Sequence, residues 1–339
     1  MMMKNNSVLM VLLATLVLAG TAQAYTRAEV VQRGFLRCGV SAGFPGFSSV
    51  DAHGRWAGLD VDICRAVAAA TLGNADKVEY LPLADNESFT ALLSGEVDIL
   101  SRHSTWSFAR ESSLAVHFAG ISYFDGQGLL VSKKLKADSL SELSKVQVCS
   151  PVDSRFAANL LDYFERNKID YRIVSYDSLD LALEGFKGEA CDTISMQQSL
   201  LYGLRLGLAE PDSAVVLPEV IAKEPLGPVV RQDDHIWANI VKWSLYAMVN
   251  GEELGVTSAN IEEMKSSNIL AVKRLLGLQG AAGKGIGLPD DWAARIIRQV
   301  GNYGEVFERN FGSGSPLKIE RGLNNLWNNG GLQYAPPLQ

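Results

Sequence analysis

Basic residues are in the minority in this sequence. Lys and Arg number 31 against 38 Asp and Glu, a formal net charge of -7, and no basic run occurs. That excludes the electrostatic footprint of a nucleic-acid binder. Histidine is scarcer: His53, His103, His117 and His235 are scattered, and the cysteines show no C-x-x-C spacing, so no metal centre is expected. No G-x-x-x-x-G-K-[ST] run is present, which leaves the chain without a nucleotide cradle. Nothing in the pattern calls for a redox cofactor, and no cofactor is expected. Beyond residue 24 no apolar stretch approaches the ~20 residues that a membrane span needs.

What is present is an ordinary globular balance, 47% hydrophobic and 20% charged over 339 residues, enough for a large core and two domains. The first 24 residues stand apart. Lys4 gives a positive start, residues 8–18 form a short apolar core, and Ala22-Gln23-Ala24 is a small-x-small cleavage site. This is the pattern of a secretory signal peptide, cleaved after Ala24, and it predicts export. Export permits disulfides. The four cysteines, Cys38, Cys64, Cys149 and Cys191, allow three pairings. If the chain forms two lobes, local pairing gives Cys38–Cys64 in one and Cys149–Cys191 in the other.

In chain order, the pattern predicts a short helix at 28–32, a strand at 35–40, a glycine-bearing loop at 41–49 and a turn at 55–58. A helix capped by Asp60 follows and stops at Gly73. A strand at 78–81, a helix at 86–94 and a strand at 97–100 complete a strand–helix alternation that favours a parallel sheet. The same grammar restarts with strands at 129–132, 146–150, 171–174 and 191–195 and helices at 154–167, 179–186 and 197–206. Residues 122–128 and 223–230 read as extended crossings between two lobes, and a pair of crossings makes a hinge. Beyond residue 233 the pattern is helical, at 236–249, 262–276, 290–300 and 317–327. Residues 280–287 read as a loop and the tail from 330 as extended.

Residues 98–110, D-I-L-S-R-H-S-T-W-S-F-A-R, organise the rest. An apolar strand runs into hydroxyls and ends on an arginine. Ligands bind beyond the carboxyl ends of parallel strands, and a hydroxyl (Thr105) with a guanidinium (Arg110) at that rim suits a small carboxylate.

Several stretches carry a resemblance. G-L-D-V-D-I-C-R-A-V-A-A-A at 58–70 and F-T-A-L-L-S-G-E-V-D at 89–98 resemble the family-3 solute-binding proteins of polar amino acid ABC transporters. K-E-P-L-G-P-V-V-R at 223–231, E-E-L-G-V-T-S at 252–258, G-S-P-L-K-I-E-R-G-L-N-N-L-W at 314–327 and G-G-L-Q-Y-A-P-P at 330–337 resemble its longer branch, the general L-amino-acid-binding proteins. The resemblance covers nearly all of the chain after residue 24. It implies an α/β periplasmic binding protein of type II. Two lobes, each with a mainly parallel sheet flanked by helices, are joined by a two-strand hinge, with a helical C-terminal extension. The implied boundaries are 1–24 for the signal peptide, 25–124 for the first part of lobe one, 125–227 for lobe two, and 228–339 for the return and the extension. It implies a monomer in the periplasm that delivers an amino acid or related small carboxylate to ABC permease subunits in the inner membrane, and no enzyme activity.

Carried over position by position, the resemblance assigns Phe44 and Phe47 to an aromatic wall, and Thr105 and Arg110 to the ligand's ammonium and carboxylate. A backbone carbonyl at His103 or Ser104 completes the ammonium cradle. Lobe two departs from the family. Where the family opens a helix with Gly-Thr-Thr, this chain has Asp153-Ser154-Arg155, so Ser154 matches, Asp153 opposes a carboxylate and Arg155 offsets it. Where the family has an ammonium-pairing Asp, this chain has Gln197. Losing one partner of a buried ion pair costs ~3–5 kcal/mol, roughly two to four decades in Kd, unless another acid such as Asp153 or Asp192 compensates. A periplasmic lyase on the same scaffold and a sensory relative without transport are the alternative functions these departures raise.

Overall fold

A computed structural model describes residues 26–41, 43–152, 154–281 and 283–339; the expected signal peptide and Asp153 lie outside the described residues. The described residues build two large sheets and one small hairpin. The first runs Val78–Pro82, Leu36–Val40, Ile99–Leu100, Val229–Arg231, Val116–Phe118 in spatial order. Its first three strands are parallel, Val229–Arg231 returns antiparallel to them, and Val116–Phe118 pairs antiparallel with that strand and so runs with the first three. The second runs Ala214–Val216, Tyr123–Ser132, Thr193–Gln197, Val146–Pro151, Tyr171–Tyr176, with Ala222–Leu226 also on Tyr123–Ser132. It too holds a parallel trio with antiparallel additions. This is the type II binding-protein architecture.

The helix Leu59–Leu72 explains the first lobe's core. Ile63, Cys64, Ala66, Val67 and Ala70 are all buried, and Gly73 closes the helix in the left-handed conformation, as the pattern predicts. Its start differs. Gly58 holds the N-cap position, with φ 133° and its missing Cβ only 2.0 Å from the Phe47 carbonyl oxygen, so no other residue fits. Asp60 lies inside the helix, and its carboxylate turns instead to the loop at 101–103. The expected turn at 55–58 is the second arm of a small hairpin, Ser49–Val50 with Trp56–Ala57. Cys38–Cys64 ties the Leu36–Val40 strand to this helix, and Cys149–Cys191 ties the second lobe's parallel trio. Each disulfide stays within one lobe.

The long helix His235–Glu253 packs beside Leu59–Leu72 in the same core, with Trp237, Ile240, Val241, Leu245 and Met248 buried, and Asp85–Leu93 packs in a separate cluster with Leu100, Phe118 and Val229. Two expectations beyond Glu253 are corrected. The stretch 262–276 is two short helices, Ile261–Met264 and Leu270–Leu275, because Ser266 and Ser267 interrupt the helical run with local bonds, Ser266 Oγ donating to the Glu263 carbonyl and Ser267 Oγ accepting the Ile269 N–H. The stretch 317–327 is not an α-helix. Lys318 and Gly322 both have positive φ, and the chain folds back so that the Ile319 N–H meets the Phe311 carbonyl. A helix at Tyr303–Asn310, opened by an Asn302/Glu305 capping box, was not expected from the pattern.

That irregular extension grips the hinge. The crossings Tyr123–Ser132 and Ala222–Leu226 pair antiparallel, with Phe124 opposite Pro225 and Asp125 opposite Glu224. Asn324 closes the outer edge: its Oδ1 accepts the Phe124 N–H at 2.7 Å and its Nδ2 donates to the Phe124 carbonyl at 3.1 Å. Tyr303 Oη donates to the Ser122 carbonyl at 2.8 Å, and Gln333 Nε2 donates to Tyr303 Oη at 3.0 Å. On the inner edge the Trp106 N–H meets the Pro225 carbonyl at 2.7 Å and the Gly227 N–H meets the Ser104 carbonyl at 3.1 Å. At Gly227 the chain passes so close to Gly120 that a Cβ would sit 2.0 Å from its carbonyl oxygen. The hinge is therefore a ribbon held between the 104–106 loop and the C-terminal extension.

Asn324→Leu keeps the volume and removes both bonds, leaving two backbone groups of Phe124 unpaired. The expected cost is about 1–3 kcal/mol, read as a lower urea midpoint with unchanged slope. An unchanged midpoint would mean that the extension carries no load at the hinge.

Candidate functional site

Beyond Leu100 the chain enters the loop that meets the hinge, and the site assembles there. The Thr105 hydroxyl donates to Glu224 Oε2 at 2.6 Å. It accepts from Arg155 Nη2 at 3.2 Å and from Gln197 Nε2 at 3.3 Å. One hydroxyl of the first lobe thus gathers three side chains that belong to the second lobe and its hinge strand. Arg155 grips Glu224 with both terminal nitrogens, Nη2 lying 2.8 Å from Oε2. Its guanidinium carbon lies 4.1 Å from the Phe156 ring centroid. Glu224 is only 2% exposed, whereas the Arg155 side chain is 46% exposed.

Arg110 stands beside this cluster. Its Nη1 donates to the Thr105 carbonyl at 2.8 Å, and its guanidinium lies over the Phe89 ring. Burial, then the nearby Arg155 charge, lowers its pKa below the usual guanidinium value. Two guanidiniums that feel each other are a standing invitation to an anion. Arg102, also in the loop, is committed to Asp85 in an ion pair.

His103 sits in the left-handed region at φ 43°, a strained setting for a side-chain-bearing residue. Asp60 holds it there, accepting the His103 N–H at 2.8 Å and the Ser101 hydroxyl at 3.2 Å. The imidazole packs on Phe44 (4.7 Å between centroids) and Phe47 (5.5 Å), with Nδ1 3.3 Å from Ser41 Oγ. Burial, and secondarily the Arg102 charge, pushes its pKa down to about 3, so the ring is neutral near pH 7. Phe44 is half-buried at the rim. Phe47 is 1% exposed and sits one layer back, against Tyr123 and Phe311, where it supports the wall rather than forming its face.

In the second lobe, Ser154 occupies the N-cap position of the helix Arg155–Asn167 without a side-chain cap bond. The Ser104 carbonyl is engaged by Gly227. Asp192 does not compensate for Gln197. It precedes the strand, and its carboxylate accepts the Gln147 N–H at 2.8 Å. The acid at the seam is Glu224, which sequence reasoning missed. It lies in the K-E-P-L-G-P motif at 223–228, but read as a crossing strand that motif gives no hint of which side chain turns into the cleft. Its cross-strand neighbour Asp125 accepts the Ser199 hydroxyl and amide and the Gly126 N–H. Like charges directly opposite in a ladder repel. Burial, with Glu224 adding to it, pushes the Asp125 carboxyl up to about 7.

The sequence matches the family profile described as bacterial extracellular solute-binding proteins, family 3, over residues 36–260. It is 49% identical over 323 residues to the general L-amino acid-binding periplasmic protein AapJ of Rhizobium johnstonii, covering 95% of both chains. It is 46% identical over 330 residues to the glutamate/glutamine/aspartate/asparagine-binding protein BztA of Rhodobacter capsulatus, covering 97% of each. Among solved structures, a periplasmic binding protein of an ABC transporter from Brucella ovis, with glutathione bound, superposes with a TM-score of 0.87 at 48% identity, over 93% of this chain and all of that one.

The buried carboxyls generate a pH dependence. Burial pushes Asp60 up to about 7, as it does Asp125. Each binds a proton more tightly folded than unfolded, so its contribution to stability is full below ~3.9 and lost as pH rises through about 7. Asp62 and Asp98, also raised by burial, act in the same direction. His103 opposes them, since its unfolded form takes a proton below ~6.5 that the folded form refuses. The carboxyls outnumber it. The melting temperature is expected to fall by a few degrees from pH 5 to pH 8, with a shallower slope in Asp60→Asn. A Tm that climbs steadily across this range would contradict the assignment.

Proposed function

The chain belongs to the bacterial extracellular solute-binding proteins of family 3, and from that premise we propose how its seam serves the capture of an amino acid. The protein is the solute-binding component of an amino acid ABC importer. The observation that carries the reading is the meeting of Arg155 and Glu224 on the Thr105 hydroxyl, with Arg110 beside them on the Thr105 carbonyl. An α-amino acid presents opposite charges one carbon apart, and a cleft with cations and an anion around a shared hydroxyl is complementary to it. Arg110 takes the α-carboxylate through the face of its guanidinium not used on Thr105. Phe44, backed by Phe47 and His103, supplies an apolar wall. Ser154 and the N-terminus of the helix Arg155–Asn167 face the carboxylate.

We read the site as one that binds its solute and does not transform it. A neutral imidazole with its pKa near 3 is a weak proton acceptor, and Glu224 is engaged by three donors. The ligand class follows from chemistry shared by the relatives. Free amino acids and the γ-glutamyl head of glutathione carry the same α-ammonium and α-carboxylate. We assign residues 125–227 to the lobe that moves about the ribbon, with 25–124 and 228–339 as the other body. Residues 1–24 direct export and are removed after Ala24. The product works in the periplasm as a monomer and hands its solute to permease subunits in the inner membrane.

Calorimetric titration with L-glutamate, L-glutamine and L-aspartate tests this. Wild-type protein is expected to bind at least one of them, and Arg110→Ala is expected to lose at least 100-fold in affinity, the scale of about 3 kcal/mol for a charge-assisted bidentate contact. Unchanged affinity in the variant would remove Arg110 from the site.

A further inference from the structure

The family-type acid of the second lobe is absent: its position is Gln197, whose amide donates to Thr105 rather than offering a negative charge. A site for an ammonium still needs an anion, since a cation without a partner in a closed cleft is strongly disfavoured. Among the described residues bonded to Thr105 Oγ1, Glu224 alone carries a negative charge. It comes from the returning hinge strand instead of from the second lobe's own parallel trio. At 2% exposure its carboxylate is held on both oxygens, Oε1 by Arg155 and Oε2 by Arg155 and Thr105.

The bonds around Glu224 have the form of an occupied ammonium site. A carboxylate and a hydroxyl converge on one cationic group, and that cation is Arg155. Unlike Glu224, Arg155 is half out in solvent and rests on Phe156, so it has room to withdraw. We propose that Glu224 is the residue that selects for an α-ammonium group in this protein, and that Arg155 holds its place until the ligand arrives. The inference rests on the amino acid reading above and deepens it. On binding, the ammonium takes the contact to Glu224 Oε2 and Thr105 Oγ1. Arg155 gives up that contact and turns with Arg110 to the α-carboxylate. The count of charges in the seam is preserved, so neither Glu224 nor Arg155 is left buried and unpaired at any stage. The arrangement also explains how the chain tolerates Gln197: the negative charge has been relocated across the strand Tyr123–Ser132, not lost.

The location has a consequence for closure. Glu224 sits opposite Asp125 in the ribbon that joins the lobes, so the contact that recognises the amine is made by the bending element itself. A solute that lacks the amine leaves the Arg155–Glu224 pair intact and gains nothing from it.

The test pairs ligands that differ only in the amine. L-glutamate and 2-oxoglutarate are titrated by calorimetry into wild type, Glu224→Gln, Glu224→Asp and the double variant Glu224→Gln/Gln197→Glu, after the melting temperature shows each to be folded. Wild type is expected to prefer L-glutamate by at least 100-fold. Glu224→Gln is expected to lose at least 100-fold for L-glutamate and less than threefold for 2-oxoglutarate, while Glu224→Asp retains part of the preference. The double variant puts a carboxylate back on the Thr105 hydroxyl and is expected to recover at least tenfold. Equal losses for the two ligands, or none for L-glutamate, would overturn the role of Glu224 while leaving the amino acid reading in place. A wild type that binds no amino acid would overturn both.

Discussion

The structure turns on a buried carboxylate. Glu224 is withdrawn from water inside a hinge ribbon, and a carboxylate there survives only with a cation and a hydrogen-bond donor fixed beside it. Arg155 supplies the cation and Thr105 the donor, one from each side of the cleft. This constraint sets the positions of the other parts. The 101–105 loop must reach the hinge, so Asp60 reaches out of its helix to hold His103 in a strained conformation. The ribbon must not slide, so the extension pins it at Phe124 and Ser122. Recognition and closure then share one set of atoms, and a ligand that satisfies Glu224 also favours the closed arrangement.

Much of the architecture was legible because it follows from local pattern. Helix Leu59–Leu72 announces itself by the spacing of Ile63, Val67 and Ala70 and by Gly73. The lobe-by-lobe pairing of the cysteines follows from their order along a chain that leaves one lobe and returns. The two disulfides agree with the family's extracellular setting. Thr105 and Arg110 stand together beyond the strand Ile99–Leu100, where the pattern put them, and their proposed use comes from the family resemblance.

What the pattern could not give depends on contacts between distant segments. Glu224 reads as one more polar residue in a crossing strand. Only the register against Tyr123–Ser132 turns it toward the cleft. Asp60 reads as a helix cap, because nothing local reveals that Gly58 already fills that position and that the carboxylate is needed 41 residues away at Ser101. The stretch 317–327 has apolar residues at helical spacing, yet it folds irregularly. Its partner is the hinge edge, and an amide side chain reaching two backbone groups of Phe124 outweighs a turn of helix. Local propensity gives way where a long-range contact satisfies polar groups that would otherwise be orphaned.

The most direct measurement is a crystal structure of the protein with L-glutamate bound. The account predicts the ligand nitrogen within 3.2 Å, a hydrogen-bond length, of both Glu224 Oε2 and Thr105 Oγ1, with its α-carboxylate on Arg110 and Arg155 turned away from Glu224. A ligand nitrogen facing Gln197 or solvent, with the Arg155–Glu224 pair undisturbed, would contradict it.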